Sequence, residues 1–382
     1  MDTSTTSLDS CDDGILNYTY LEDAERALDE YRWSGADAFI TKVILPIVVS
    51  IGVLGNLAFL FTVARVSRMR TVTNYYLVNL AVADMLFLLI TMSAQIHKYR
   101  RAQLRGSVPY TSEVGCWGAI FPIFLSYFTS VLLVTFVSLE RYYSICKPVE
   151  HRLLHGKAHT LKLIVVAWIV GIVLAILSTP RFGKLKQECI LWPNEEEYKD
   201  LPTRYQQCFM INIGLSLLSE IIQFALFCIA LTISCITYFN LIKTLSKNTL
   251  VVSEQQAQRN QQVRNQVARI LIIIGVIFFC CQIPSRVINL HKFVRIVRGT
   301  HEPSYGIIFE ISFGLLLLNS ATNPFVYGFG SRLYREAFYK AFGVSTCRRR
   351  KTTERPVSSG DLSRRSGDLS RRSQSTKVST NV

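Results

Sequence analysis

Charge is what this chain has least of. Asp, Glu, Lys and Arg make up 18% of its 382 residues, against about 25% in an average soluble domain. Five stretches (43–64, 114–139, 163–180, 221–242 and 311–331) contain no charge at all. Two more, 72–96 and 270–290, carry one each, Asp84 and Arg286. Mean hydropathy is +0.26. Such segregation excludes a soluble enzyme and a disordered chain. No 20–50-residue repeat is present and seven apolar blocks do not halve, so a transporter duplicated into two equal halves has no support. Acids deep in several blocks, which a transporter would need, are missing. So is a His/Asp set for an intramembrane metal hydrolase, since His97, His291 and His301 fall at block ends.

What is there is length. About 20 mostly apolar residues bridge a bilayer core as a helix, and all seven blocks reach or approach that. The expected fold is an all-α membrane protein, a bundle of seven transmembrane helices over 38–330. An acidic N-terminal segment (1–37) precedes it. A short amphipathic helix (331–342) and a disordered tail (343–382) follow. Loop charge sets the orientation: the segments 65–70, 140–162 and 243–269, with the tail, total +19, while the opposite side totals −3. The positive-inside rule then puts the N-terminus outside and the tail inside. Basic residues split among short loops are a topology signal, not a nucleic-acid footprint. No cleavable leader is visible, so the first span is expected to act as signal anchor. Asn17-Tyr18-Thr19 is a glycosylation sequon on the outer side.

Ionisable groups inside spans mark function by default. Asp84 is the one acid in the middle of a span. Asn56, Ser130, Asn319, Ser320 and Asn323 are its expected company, an oxygen set suited to a monovalent cation, to ordered water or to plain interhelical bonding. Pro284 and Pro324 each free a backbone carbonyl and are expected to kink the sixth and seventh helices. Arg286 lies two positions past Pro284, inside the bundle, and needs a partner. Glu310 on the adjacent helix is the expected one, with Glu220 as the other choice.

Of the ten cysteines, Cys228, Cys235, Cys280 and Cys281 are expected as buried thiols, and Cys146 and Cys347 as cytosolic. Cys347, beside an Arg/Lys run, is a candidate for acylation. Cys11, Cys116, Cys189 and Cys208 face outward and permit three full pairings. His151, His155 and His159 share a helical spacing that zinc sites use, but Gly156 interrupts it. The tail repeats SGDLSRR, and Ser366, Ser373 and Ser375 follow Arg pairs in a context that basophilic kinases favour.

These motifs, in order, resemble those of the rhodopsin-like (class A) G-protein-coupled receptors. Gly55-Asn56 is similar to the first-helix GN, and Leu80-Ala81-Val82-Ala83-Asp84 to LAxAD. Glu140-Arg141-Tyr142 resembles the motif closing the third helix, 25 residues after Cys116. Trp168 resembles the fourth-helix tryptophan, and Asn319-Ser320-Ala321-Thr322-Asn323-Pro324-Phe325-Val326-Tyr327 resembles NSxxNPxxY. The resemblance implies a sodium site of Asp84, Ser130, Asn319, Ser320 and Asn323. It also implies a switch built from Glu140, Arg141 and Tyr142 with Tyr238, Asn323, Pro324 and Tyr327. No resident cofactor beyond that ion is implied.

Further residues narrow the class. Ile123 stands where aminergic receptors have Asp, and Leu317 where opsins have Lys, so neither an amine nor retinal is favoured. Cys189-Ile190-Leu191-Trp192-Pro193 is similar to the outer loop of neuropeptide receptors. Cys116 is accordingly expected to pair with Cys189, with Cys208 as competitor. The ligand pocket is expected from Gln95, Ile123, Phe124, Glu220, Gln282, Arg286 and Glu310. Three residues depart from the family: Gln282 replaces a tryptophan, Ala230 a proline, and Arg264 an acid that some members carry. The implied function is a plasma-membrane receptor for an extracellular peptide, acting through heterotrimeric G proteins, with arrestin, receptor kinases and membrane lipid as further partners. A receptor for a lipid or small acid is the alternative.

Overall fold

A computed structural model describes residues 14–102, 104–154, 156–247, 255–298 and 306–344. The N-terminal part forms strand β1 (Ile15–Asn17) and helices α1 (Leu21–Tyr31) and α2 (Gly35–Phe39). A π-helical turn, Ile40–Ile44, leads into α3 (Leu45–Arg65). Then come α4 (Val72–Arg101), α5 (Glu113–Cys146), the short α6 (Pro148–Leu154) and α7 (Lys157–Ser178). A hairpin of β2 (Lys184–Leu191) and β3 (Arg204–Phe209) precedes α8 (Ile213–Lys247), α9 (Gln255–Val297), α10 (Gly306–Gly330) and α11 (Arg332–Ala341). Among the described residues, six helical stretches are long and apolar enough to cross a membrane. The 25-residue α10 carries the seventh apolar block.

Helices are what this sequence has to form in hydrocarbon, where each backbone N–H and C=O must be bonded within its own segment. They close a ring: α3 packs on α4, α4 on α7, α7 on α8, α8 on α9, α9 on α10, and α10 back on α3. The α5 helix stands in the middle against α4, α7, α8 and α9. Apolar side chains such as Leu54, Ile229 and Phe239 point outward, while Asn56, Asp84, Ser130 and Asn323 are buried. That is the reverse of a soluble domain. Lipid offers no hydrophobic gain for helix contact, so close packing and interhelical hydrogen bonds hold the ring. Gly52 lets α3 approach Leu88 and Ala321, where an added Cβ would come within 2.7 and 2.9 Å. Asn56 Nδ2 donates to Ser320 O (3.1 Å) and Trp168 Nε1 to Asn79 Oδ1 (2.9 Å), tying α3 to α10 and α7 to α4. Cys235 and Cys280 are free thiols, as expected, but they face outward and are not buried.

One end of the bundle carries the N-terminal segment and the hairpin. β1 runs parallel to β2, with Ile15 opposite Cys189, and β3 pairs antiparallel on the other edge. The expected link from Cys116 to Cys189 is not made: Cys116 is bonded to Cys208, and Cys189 is in a different disulfide. Register explains why. Cys208 lies opposite Leu185, at the end of the hairpin where Gly183 rests on the Trp117 ring beside Cys116. Cys189 is four residues further along β2, about 14 Å at strand spacing. Trp192 of the loop motif is structural. It stacks with Tyr18 and Tyr198 at 5.9 Å each and donates to Pro202 O (3.0 Å).

At the opposite end α11 lies against the bundle, with Tyr334, Ala337 and Ala341 buried. Tyr334 donates to Asn74 Oδ1. Burial holds its phenol above the ordinary value, so it stays a donor. Cys347, Ser366, Ser373 and Ser375 lie outside the described residues, as does His155 of the three-histidine spacing.

Candidate functional site

The bundle is hollow at two levels beneath the hairpin. A cavity of about 170 Å³ lies under it, lined by Ile123, Phe124, Arg181, Gln223, Arg286 and Asn289 among others. A smaller one of about 70 Å³ continues deeper, where Asp84, Ser130, Gln282, Arg286 and Ser320 converge. Arg286 is the polar residue common to both.

Arg286 does not pair with Glu310 or with Glu220. Its Nη1 donates to Gln223 Oε1 (2.6 Å), and its guanidinium lies 4.3 Å from the centre of the Tyr127 ring. Both acids are taken. Glu220 pairs with Arg181, just past α7, and Glu310 with Arg105, at 3.5 Å. Linear sequence places these acids at the correct depth but not on the correct helix face, and here α9 turns Arg286 toward α5 and α8. Among the described residues no carboxylate pairs with Arg286, and its Nε has no hydrogen-bond acceptor. A guanidinium held by a carboxamide oxygen and a ring face is poised for an anion.

The seven expected pocket residues therefore separate. Ile123, Phe124, Gln282 and Arg286 come together in the deeper cavity. Gln95 and Glu310 line a different cavity near α3, and Glu220 is spent on Arg181. Gln223, Tyr127 and Arg181 were missed from sequence. Gln223 alone gave a signal, as a carboxamide inside a charge-free block.

Around Asp84, Asn323 Nδ2 donates to Oδ2 (2.7 Å) and Ser320 bonds the same carboxyl group. Ser130 lines the cavity beside it, and Asn319 is buried without lining it. Buried acceptors without donors lie close by on two helices, Asn56 Oδ1 and Gln282 Oε1. Such groups call for water or an ion.

At the far end of α5, Glu140 is buried and bonds His151 Nε2 of α6 (2.7 Å), while Arg141 donates to Thr73 of α4. Tyr238 bonds Ser138 Oγ (2.7 Å) and packs on Gly275, where a Cβ would clash. Tyr327 stacks with Tyr334 and meets the Phe59 ring at a tilt. Arg141, Tyr238 and Tyr327 thus have separate partners here, and Tyr142 contacts Tyr143. The switch parts are near one another but not assembled. The α9 and α10 helices run on through Pro284 and Pro324.

Comparison with known proteins agrees with this architecture. Residues 55–327 match the 7 transmembrane receptor (rhodopsin family). Neuromedin-U receptor 2 of Mus musculus is 27% identical over 303 residues, covering 78% of this chain and 73% of the relative. Neuromedin-U receptor 1 of Rattus norvegicus is 25% identical over 378 residues, 90% of this chain and 84% of the relative. The pyrokinin-1 receptor of Drosophila melanogaster is 24% identical over 354 residues, covering 78% of each. A seven-helix membrane receptor is what the bundle and its two cavities define. The chain belongs to the rhodopsin family of seven-transmembrane receptors, which are not enzymes.

Proposed function

We propose that this receptor sits in the plasma membrane with its N-terminus outside, binds an extracellular peptide beneath the hairpin, and signals through heterotrimeric G proteins at the opposite face. The observation that carries this reading is Arg286. A half-buried guanidinium that no carboxylate pairs among the described residues, at the floor of a cavity beneath the hairpin, suits a ligand that brings a carboxylate or amide end. The neuromedin-U and pyrokinin receptors named above support a peptide over a small acid. A ligand carbonyl oxygen would displace Gln223 and draw Arg286 upward. Arg286 is two residues beyond Pro284, about 3 Å along the axis, so that pull acts across the place where α9 lacks a backbone bond. Ligand binding then favours a population in which the inner end of α9 leaves Tyr238 and exposes Arg141. The exposed Asn17 would carry the glycan, and the Ser/Arg tail would serve receptor kinases and arrestin. Agonist-dependent nucleotide exchange by a co-purified G protein, screened with amidated and free-acid neuropeptides, tests the reading. A response to small acids with none to any peptide would move the assignment to the alternative.

The deeper cavity supports a sodium ion held by Asp84, Ser130 and Ser320, with Asn323 fixing the carboxylate. The ion would neutralise a buried charge and favour the closed bundle. Agonist affinity is expected to fall about fivefold or more as sodium is raised, a normal size for coupling between sites. Asp84→Asn should abolish that dependence. Radioligand competition in sodium against N-methyl-glucamine buffer checks it, and affinity indifferent to sodium in the wild type removes the ion from the account.

A further inference from the structure

A third cavity, about 480 Å³, opens between α3, α4 and α10 beside the N-terminal segment. Its polar lining holds two cations and two acids: Lys98, Arg105, Asp37 and Glu310. They are not equivalent. Arg105 engages both acids, Asp37 at 3.6 Å and Glu310 at 3.5 Å, and among the described residues neither acid pairs with Lys98. Lys98 has no side-chain hydrogen bond or ion pair among the described residues. It is left as the cation without a direct partner in a half-enclosed space.

The rest of the lining is aliphatic and aromatic, and one side faces lipid. Ile40, Ile44 and Leu318 on the rim are 38%, 42% and 45% exposed on the outer surface of the bundle. The π-helical turn Ile40–Ile44 contributes three of the lining residues. Turns of this kind inside α-helices are uncommon and frequent at functional sites. On the side of the N-terminal segment, Trp33 donates to Ala102 O (3.0 Å) and Arg105 pairs with Asp37.

We propose that this cavity binds a single-chain anionic lipid, its acidic head against Lys98 and its chain running between α3 and α10 into the bilayer. The exposed apolar rim of Ile40, Ile44 and Leu318 favours a lipid chain over a soluble peptide. Phe313 lines both this cavity and the one holding Arg286. A bound chain therefore touches a wall of the peptide cavity from behind.

The test uses the purified full-length receptor in phosphatidylcholine nanodiscs with radiolabelled oleate. Oleyl alcohol serves as the uncharged control and butyrate as the head without the chain. Oleate should bind saturably. Lys98→Gln should weaken it at least tenfold, about 1.4 kcal/mol, and Lys98→Arg should restore it, while oleyl alcohol is indifferent to both. Gly314→Leu is the second variant: a Cβ there meets nothing within 4 Å, so the side chain has room to fill the cavity and should abolish oleate binding without touching Lys98. Oleate binding unchanged in both variants would mean lipid partitioning at the protein boundary and overturn the proposal. Competition by butyrate as strong as by unlabelled oleate would overturn it too, leaving a simple anion site. None of these readouts depends on G-protein coupling, so the peptide reading can fail while this one stands.

Discussion

Replacing Arg286 by alanine is expected to lower agonist potency about a hundredfold, near 2.8 kcal/mol, with surface expression unchanged. The size follows from the pair that the ligand would form with this half-buried guanidinium: removing one partner of a charge pair that binding desolvates costs about 2–5 kcal/mol. The unchanged expression follows from what holds Arg286 in the empty receptor. Its partners are the Gln223 carboxamide and the Tyr127 ring, not a carboxylate. Deleting it therefore leaves no orphaned buried anion, and it removes a partly desolvated cation that burdens the fold. Thermal stability of the ligand-free receptor should stay level or rise, while that of the agonist complex should fall. Arg286→Lys keeps the charge but loses the fork, so it should recover only part of the potency. Concentration–response curves with a melting curve on the same preparations decide the matter. Wild-type potency in the alanine variant, or lost expression in both variants, would make Arg286 a structural residue only.

The second large effect belongs to Cys208. Its bond to Cys116 closes a loop with a sequence separation of 92. A closed loop of that length stabilises by up to about 4.6 kcal/mol in the chain-entropy account, and losing a native bridge usually costs about 2–5. Cys208→Ser and Cys116→Ser should therefore each abolish most surface expression and agonist binding. The double variant should be no worse than either single one, because both remove the same bond. Cys189→Ser leaves the α5–hairpin link in place and should retain a folded bundle. Non-reducing peptide mapping should recover the Cys116 and Cys208 peptides joined. A Cys116–Cys189 peptide instead would reverse the assignment.

Much of this receptor was legible as a string. Seven apolar blocks and their nearly charge-free stretches dictated seven helices, because hydrocarbon tolerates no other local arrangement of the backbone. Asp84, Asn323 and Ser320 were identifiable as one polar group because each is conspicuous in an apolar block, and they meet in the bundle. The amphipathic helix expected at 331–342 stands at Arg332–Ala341. Pairing was another matter. Which cysteine reaches Cys116 depended on strand register in a hairpin, where Cys189 lies about 14 Å along β2 from the residue opposite Cys208. That Arg286 meets Gln223 and neither expected acid depended on helix rotation, and a span apolar on nearly every side carries no polar stripe to reveal its rotation. Glu310 went to Arg105, Glu220 to Arg181, and Glu140 to His151. Sequence determined what lies at each depth of the membrane; only the packed bundle decided which side chains face one another. Depth is set by local transfer from water to lipid, whereas facing is set by contacts between residues far apart in the chain.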